Sequence, residues 1–178
     1  MTDWSFIVAE HGSIVWRTAR RLLSSEADAA DCFQQTFVSA VELARRQPVR
    51  HWPALLSRLA TSRALEQLRM RIRERSRLAT FDTGIPANVR SCNPLESAQA
   101  SELADRLREA LIELDSRQAQ VFCLTQLDGL SYEEVAGELG LTVNHVGVVL
   151  NRARSALKER LAAFAPAVAK VEADKVDP

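Results

Sequence analysis

Arginine occupies every second position of the run R-M-R-I-R-E-R-S-R, which extends from Arg69 to Arg77. On a helix, Arg69, Arg73 and Arg77 share one face, because residues four apart lie one turn above one another. Guanidinium groups match phosphate geometry, and phosphate contacts supply much of a protein's affinity for nucleic acid. The alternative is a solvated helix end, where cations are favoured, but such an end needs only one or two of them. The run therefore favours a nucleic-acid partner.

A second stretch with a recognisable chemistry is LDGLSYEEVAGELGLTVNHVGVVLNRAR, at residues 127–154. Ser131 and Glu134 have the spacing of a capping box at a helix start. Gly140 suits the left-handed end of that helix, and Thr142 can cap the next one. Two helices joined by a glycine-containing turn are typical of a helix-turn-helix that binds DNA. A helical hairpin with only a packing role is the alternative.

Composition argues against catalysis, metal binding and membrane insertion. The three histidines and three cysteines are scattered, and we find no histidine–carboxylate pair, nucleophile motif or phosphate loop. No apolar run approaches the roughly 18–20 residues of a membrane span. The N-terminus lacks the basic segment of a signal peptide. We expect a cytoplasmic protein that is not an enzyme and that uses no metal or cofactor.

The charge is distributed unevenly along the 178 residues, although the formal net charge is zero. Residues 1–80 carry 13 basic and 8 acidic side chains, whereas residues 81–115 carry 3 and 7. This asymmetry predicts an anionic partner for the first segment.

Hydrophobic periodicity predicts an all-α fold. Three helices are expected near residues 4–23, 25–46 and from Pro53 into the arginine run, with Ser25 as a cap. Glycine and proline then interrupt the pattern, which resumes near Glu96 and continues through the helix-turn-helix. The predicted organisation is a first domain at 1–78, a flexible linker at 79–98, a second domain at 99–164 and a flexible tail at 165–178.

Two motifs resemble those of the extracytoplasmic-function sigma factors, the smallest members of the sigma-70 family. One is DAADCFQQTF at residues 28–37, which is similar to the family's D-A-x-D-x-x-Q-E-x-F. The other is LDGLSYEEVA at residues 127–136 with NRAR at 151–154, similar to L-x-G-L-S-Y-x-E-I-A and a closing R-A-R. The resemblance covers about residues 5–163.

This resemblance implies two small helical domains on a flexible linker and a role in transcription initiation. The chain would bind core RNA polymerase and direct it to promoter DNA, and an anti-sigma factor is a candidate further partner. The family's polymerase contact maps to Asp28, Asp31, Gln34 and Gln35. An ordinary exposed helix face is the alternative for these four.

The resemblance places the melted −10 element against the third helix and the loop before it. The matching residues are Trp52, Arg58, Ser62, Arg63, Glu66 and Arg69, to which the basic run adds Arg73 and Arg77. Trp52 could stack on an unpaired base or serve as a core anchor.

The duplex −35 element would meet the outer face of the last helix. That face consists of Thr142, Asn144, His145, Val148, Asn151, Arg152, Arg154 and Lys158. Asn144 could read adenine, and Val148 could contact a thymine methyl group.

Three departures from the family pattern affect these assignments. Gln35 replaces a glutamate, Ser62 replaces an asparagine that contacts a −10 base, and residues 145–149 read HVGVV where the family reads T-V-[KR]-S-R. Two fewer cations should reduce the salt slope of DNA binding by roughly 2. Glycine at 147 should cost the helix about 1 kcal/mol relative to alanine.

These departures keep two other functions open. One is an interaction protein that docks on polymerase or a regulator without reading a −35 site, using Val148 and Val149 as an outward apolar surface. The other is a conventional dimeric repressor that uses only the helix-turn-helix. The motif at residues 28–37 and the arginine run argue against the repressor.

Overall fold

The computed structural model describes residues 3–79 and 96–162, and it shows only helices and connections in these two ranges. The all-α fold class is therefore confirmed. The helices are α1 (Trp4–Leu22), α2 (Glu26–Arg46), α3 (Trp52–Ala79), α4 (Glu96–Glu113), α5 (Ser116–Phe122), α6 (Tyr132–Leu139) and α7 (Val143–Ala162). Their order divides the described chain into a first unit, α1–α3, and a second unit, α4–α7.

Local capping signals fix several helix ends. The Ser25 hydroxyl accepts a hydrogen bond from the Asp28 amide at 3.3 Å, at the start of α2. At the start of α6, Ser131 and Glu134 exchange the two hydrogen bonds of a capping box, at 3.2 and 2.8 Å. Gly140 ends α6 with φ +63°, a conformation that costs other residues steric energy. These features confirm the predicted helix-turn-helix scaffold.

The first unit is a three-helix arrangement with its own apolar centre. All three helices contact one another. The buried cluster comprises Ile7, Val15, Phe37, Ala40, Leu56 and Ala60. The members on each helix are three, four or eight residues apart, spacings that place them on one face.

The helix-turn-helix has a separate apolar cluster within the second unit. Its buried members are Val121, Leu124, Val135, Ala136, Val146, Val149 and Leu150. Val149 was predicted to lie on the outer face of the last helix, and that prediction is wrong: its side chain is 6% exposed. The cause is helical geometry, since position 149 lies beside Val146 and Leu150 on the inward side of α7.

A third apolar cluster joins the two units. From the first unit it includes Leu22, Leu65 and Leu68, and from the second Leu111 and Leu157. Contiguous burial of this kind stabilises the contact through removal of apolar surface from water. The two units therefore pack directly on each other.

The chain between the units falls largely outside the described residues. Helix α3 continues to Ala79 and α4 begins at Glu96, so residues 80–95 of the predicted linker are not described. The predicted tail at 165–178 also lies outside the described part. Among the helices of the described ranges, none combines the length and apolar character needed to cross a membrane.

Helix α5 continues as a π-helical turn over Cys123–Leu127. The Asp128 amide donates to the Cys123 carbonyl oxygen, five residues back, at 3.0 Å. Gly129 follows with φ +75°, which reverses the chain before α6. This sequence of turns determines where the Asp128 side chain is placed.

Candidate nucleic-acid interface

One stripe of α3 carries most of the side chains predicted to contact a melted strand. Its members recur at steps of three or four residues and span an arc of roughly 100° at the helix pitch. They are Arg58, Ser62, Glu66, Arg69, Arg73 and Arg77. Arg73 and Arg77 are exposed, whereas Arg58, Ser62 and Arg69 are partly buried. The second unit covers the less exposed part of the stripe.

Arg58 and Arg63 already have partners. The Arg58 Nε donates to the Glu138 carboxylate of α6 at 2.8 Å, and the two side chains are 26% and 20% exposed. Arg63 donates to the Ser39 hydroxyl at 3.0 Å and lies 3.9 Å from Glu66. Arg63 therefore stays within the first unit, while Arg58 bridges the two units.

Arg69 is held against the second unit. Its Nη2 atom is buried and has no hydrogen-bond partner among the described residues. The side chain is near enough to Cys123 to lower the pKa of that thiol, although burial, the larger effect, raises it. A buried guanidinium N–H without an acceptor carries a desolvation cost. In this arrangement Arg69 is not presented to a nucleic acid.

Trp52 has a packing role in this structure. Its ring meets that of Trp4 edge-on, with centroids 5.4 Å apart and planes at 82°. It also packs against the apolar cluster of the first unit. Stacking of Trp52 on a base stays a prediction.

The outer face of α7 is open to solvent. Every predicted DNA-contacting residue of this helix and its cap is exposed, namely Thr142, Asn144, His145, Val148, Asn151, Arg152, Arg154 and Lys158. Thr142 caps α7 by accepting from the His145 amide at 3.2 Å. Arg154 donates to the Gln126 side chain at 2.7 Å. The outer face of α7 thus presents two amide side chains and three cations to solvent.

Glycine at position 147 leaves α7 intact. Gly147 faces Tyr132, and a Cβ atom there would lie 3.7 Å from the tyrosine ring, an ordinary contact distance. Val143 and Val148, both 43% exposed, flank it on the solvent side. The outer face of α7 therefore carries fewer cations than the pattern it resembles, while the helix itself is regular.

The motif at residues 28–37 lies on α2. Asp31, Gln34 and Gln35 are exposed, whereas Asp28 forms an ion pair with Arg71 of α3. This contact raises the pKa of the Arg71 guanidinium. The structure therefore groups three of the four predicted polymerase contacts and uses the fourth to join α2 to α3.

Beside this motif, α1 and α2 form an open groove of about 460 Å³. Trp16 and Phe33 supply its aromatic lining, and Gln34 borders it. The aromatic rings lie edge-on with centroids 6.2 Å apart. An apolar groove bordered by polar side chains has the composition of a protein-contact site.

Asp128 is a central residue that the sequence did not reveal. Its carboxylate accepts hydrogen bonds from Thr18 at 2.7 Å and Thr61 at 3.2 Å, and it lies 3.5 Å from Arg21. Its side chain is 3% exposed, and this burial raises its pKa despite the three donors. From sequence alone, an aspartate before Gly129 indicates only a turn.

The described cysteines do not form a reactive site. Cys32 and Cys123 are buried and free, and burial raises the pKa of the Cys32 thiol to about 11. A protonated thiol is a poor nucleophile and a poor metal ligand. Within residues 3–79 and 96–162, no group of three histidine, cysteine or acidic side chains is placed to bind a metal ion.

Two family profiles match the chain, one for each unit. The profile described as "Sigma-70 region 2" matches residues 7–74, and the profile "Sigma-70, region 4" matches residues 104–157. The matched segments contain the α2 motif and the α3 stripe as far as Arg73 in the first unit, and the helix-turn-helix in the second.

Several characterised proteins are similar over most of the chain. The ECF RNA polymerase sigma factor SigE of Mycolicibacterium smegmatis is 30% identical over 163 residues, which cover 91% of this chain and 63% of that protein. The RNA polymerase sigma factor CnrH of Cupriavidus metallidurans is 32% identical over 165 residues, covering 87% and 84%. The ferric citrate uptake sigma factor FecI of Escherichia coli is 28% identical over 82% of this chain and 83% of that protein.

Solved structures of similar fold cover nearly the whole chain. CnrH in complex with the cytosolic domain of CnrY superposes with a TM-score of 0.58 at 27% identity, covering 90% of this chain and 88% of that one. The sigma factor RpoE in complex with the anti-sigma factor NepR from Bartonella quintana gives a TM-score of 0.56 at 22% identity, covering 91% and 98%. The second likeness concerns the fold alone.

Proposed function

Because this chain belongs to the sigma-70 family of RNA polymerase sigma factors, within its extracytoplasmic-function class, we propose that it binds core polymerase and directs it to promoters. The observation that carries this proposal is the exposed outer face of α7 on an intact helix-turn-helix, in a chain that also contains the polymerase-binding motif. RNA synthesis belongs to the polymerase in this proposal, and the chain supplies recognition. Such a role places it in the cytoplasm.

The two units divide the task in this proposal. The domain at 1–78 binds polymerase through Asp31, Gln34 and Gln35 beside the groove and holds the melted −10 strand along α3. The domain at 99–164 reads the duplex −35 element with α7. The segments 79–98 and 165–178 act as linker and tail. Asp28 supports the polymerase contact indirectly, since its ion pair with Arg71 fixes α2 against α3.

A protein regulator is a further part of the proposal. CnrH, which is similar to this chain, is bound in its solved structure by the cytosolic domain of CnrY. We propose that this chain is likewise held by an anti-sigma factor. The exposed apolar residues Phe6 and Val38 of the first unit, 61% and 58% exposed, offer additional contact surface for it.

The second candidate is a sigma-like interaction protein that binds polymerase but reads no −35 element. The exposed apolar residues Tyr132, Val143 and Val148 favour it, because they surround Gly147, a position where the family presents a cation. Since Val149 is buried, this apolar surface is smaller than the sequence predicted. The two candidates differ in whether α7 discriminates between DNA sequences.

Run-off transcription with purified bacterial core polymerase over a promoter library tests both candidates. A sigma factor yields specific start sites, and the double variant Asn144→Ala/Val148→Ala should lose about 1–3 kcal/mol of discrimination per base contact while core binding is retained. The variant Gln34→Ala/Gln35→Ala should instead weaken core binding, with exposed Glu159→Ala on α7 as its control. Core binding without specific initiation selects the second candidate. Absence of core binding contradicts both.

A further inference from the structure

The first half of α7 presents an outer face without lysine, arginine or acidic side chains. Asn144, Val148 and Asn151 recur at steps of four and three residues, so they form one exposed stripe, which we call the outer stripe. The first arginine of the helix is Arg152, which follows this stripe. A recognition helix in the major groove contacts base edges with its N-terminal residues. The side chains of α7 best placed to meet bases are therefore two amides and a valine.

The chemistry of the outer stripe suits A·T pairs better than G·C pairs. Asparagine forms two hydrogen bonds with the N6 and N7 atoms of adenine, whereas guanine is read chiefly by arginine or lysine. His145, exposed beside the stripe, can donate a hydrogen bond to N7, an atom that both purines carry, so it does not select guanine. The stripe thus contains two side chains suited to adenine and neither of the two types that usually select guanine.

An apolar patch centred on Gly147 lies beside the outer stripe. The Tyr132 ring is 3.7 Å from the point that a Cβ atom of Gly147 would occupy, Val143 lies one helical turn before it, and Val148 adjoins it. Tyr132 is 38% exposed and each valine 43%. Because glycine contributes no side chain, these residues surround a shallow depression, and we call the four of them the apolar notch. The C5-methyl group of thymine is an apolar group that a duplex presents in its major groove.

The surroundings of the apolar notch favour duplex DNA over a protein as its partner. The amides of Asn144 and Asn151 border it, and the exposed cations Arg152 and Lys158 follow along the helix. The cores of protein–protein interfaces are depleted in charged residues. A duplex instead places anionic phosphates beside the methyl groups of its groove. The combination of apolar, amide and cationic groups on this face is therefore complementary to a duplex.

We propose that α7 reads A·T base pairs, with thymine methyl groups against Val148 and the apolar notch and adenine edges against Asn144 and Asn151. This inference rests on the proposed function, because it assumes that α7 meets duplex DNA at the −35 element. It adds the identity of the bases: the centre of that element consists of A·T pairs, recognised through methyl contacts and amide hydrogen bonds. Phosphate attraction contributes less, so the sequence preference persists at salt concentrations that weaken phosphate contacts.

The first experiment selects preferred duplexes from a random library, with the full chain alone and with its complex with bacterial core polymerase in parallel. The outer stripe is exposed while the two units are packed together, so the free chain presents it as well. Positions whose preference is lost in Asn144→Ala/Val148→Ala are those that α7 reads, and we expect these positions to be A·T pairs. G·C pairs at these positions, or no preference with either preparation, would overturn the proposal.

The second experiment removes only the methyl groups from one selected duplex, by replacing thymine with deoxyuridine at the positions that α7 reads. Each lost methyl contact should weaken binding about fourfold, the effect of returning one methyl group to water. Fluorescence anisotropy with the preparation that gave the selection measures this ratio. Val148→Ala should bring the ratio closer to one, whereas Leu103→Ala, at a position of α4 that is 61% exposed, should retain it. Equal binding of the two duplexes by the unaltered chain contradicts methyl reading.

The third experiment fills the apolar notch. Gly147 has room for a Cβ atom, so Gly147→Arg should keep the helix and place a guanidinium group over the depression. We expect the salt slope of duplex binding to steepen by about 1, because one phosphate contact is added, and the thymine-to-deoxyuridine ratio to fall close to one. Circular dichroism checks that the helices are retained. An unchanged ratio in this variant would show that the notch holds no methyl group.

The outcomes separate this inference from the proposed function. Specific start sites in run-off transcription combined with methyl-insensitive binding would reject the reading of A·T pairs and keep the sigma function. Methyl-dependent duplex binding by a chain that does not bind core polymerase would do the reverse. If Val148→Ala weakens core binding and leaves duplex binding unchanged, the apolar notch is a protein contact and the proposal is overturned.

Discussion

Asp128 and Glu134 are carboxylates six positions apart in the chain, yet their surroundings shift their pKa values in opposite directions. Asp128 is almost fully enclosed, and loss of hydration raises its pKa above the ordinary 3.8, although Thr18, Thr61 and Arg21 act against the shift. Glu134 is close to solvent and accepts the Ser131 amide, which lowers its pKa below the ordinary 4.5. Burial dominates in the first case, and hydrogen bonding dominates in the second.

We expect the two carboxylates to contribute oppositely to the pH dependence of stability. The contribution of Asp128 to the free energy of unfolding is complete below pH 3.8 and is lost as the pH rises through its raised pKa. That of Glu134 is present above pH 4.5 and is lost as the pH falls through its lowered pKa. Carboxyl-carbon NMR titration of the full chain measures both midpoints. Asp128→Asn should remove the higher one only, and a midpoint for Asp128 at or below 3.8 contradicts the burial argument.

For single residues, the sequence predicted which side chains are exposed to solvent better than it predicted which side chains contact each other. Asn144, Val148 and Lys158 were placed on the outer face of α7 because helical spacing alone decides it. The partners of Arg58 and Asp128 could not be predicted, because Glu138 and Thr18 are 80 and 110 positions away. No local rule links such distant positions.

The two helices of the helix-turn-helix owe their ends to residues that act within four positions. Ser131, Glu134, Gly140 and Thr142 each cap a neighbouring turn, and each was identifiable from the sequence. The π-helical turn at Cys123–Leu127 was not, because its apolar residues fit an α-helical period equally well. The capping residues therefore predicted where the helices begin and end, but the sequence did not predict the π-helical turn at the end of α5.

Two glycines of this motif should respond oppositely to alanine. Gly147 has an ordinary helical conformation and room for a methyl group beside Tyr132, so Gly147→Ala should stabilise the chain by about 1 kcal/mol. Gly140 has φ +63°, so Gly140→Ala should destabilise it by about 1–2 kcal/mol. Urea unfolding followed by circular dichroism measures both. Destabilisation by Gly147→Ala would mean that the Tyr132 contact is tighter than the structure shows.

The shared apolar cluster makes the stability of each unit depend on the other. The sequence predicted two domains because glycine and proline interrupt the apolar periodicity between the third and fourth helices. It could not show that part of each unit's apolar stripe, including Leu65 and Leu111, faces the other unit. Periodicity predicts which face of a helix is buried, but it does not predict which other helix packs against that face.

All three tryptophans lie in the first unit, which allows a test of this dependence. Leu111→Ala removes a fully buried side chain of α4 and should cost about 2–5 kcal/mol. We expect the urea midpoint reported by tryptophan fluorescence to fall together with that reported by circular dichroism. Leu103→Ala on the same helix, at a position 61% exposed, is the matched control. A tryptophan midpoint unmoved by Leu111→Ala would show that the units unfold independently.

In the π-helical turn, the number of residues determines the geometry, whereas the identity of the side chains does not. A π-helical turn holds one residue more than the α-helix around it requires, and each residue rotates the chain by about 100°. The direction of Asp128, and with it the position of α6 against the first unit, is set by the number of residues in Cys123–Leu127. Exchange of the exposed Gln126 leaves that number unchanged, whereas a deletion there would restore an α-helical register and turn Asp128 away from Thr18 and Thr61. The position of the second unit on the first therefore depends on the number of residues in this turn.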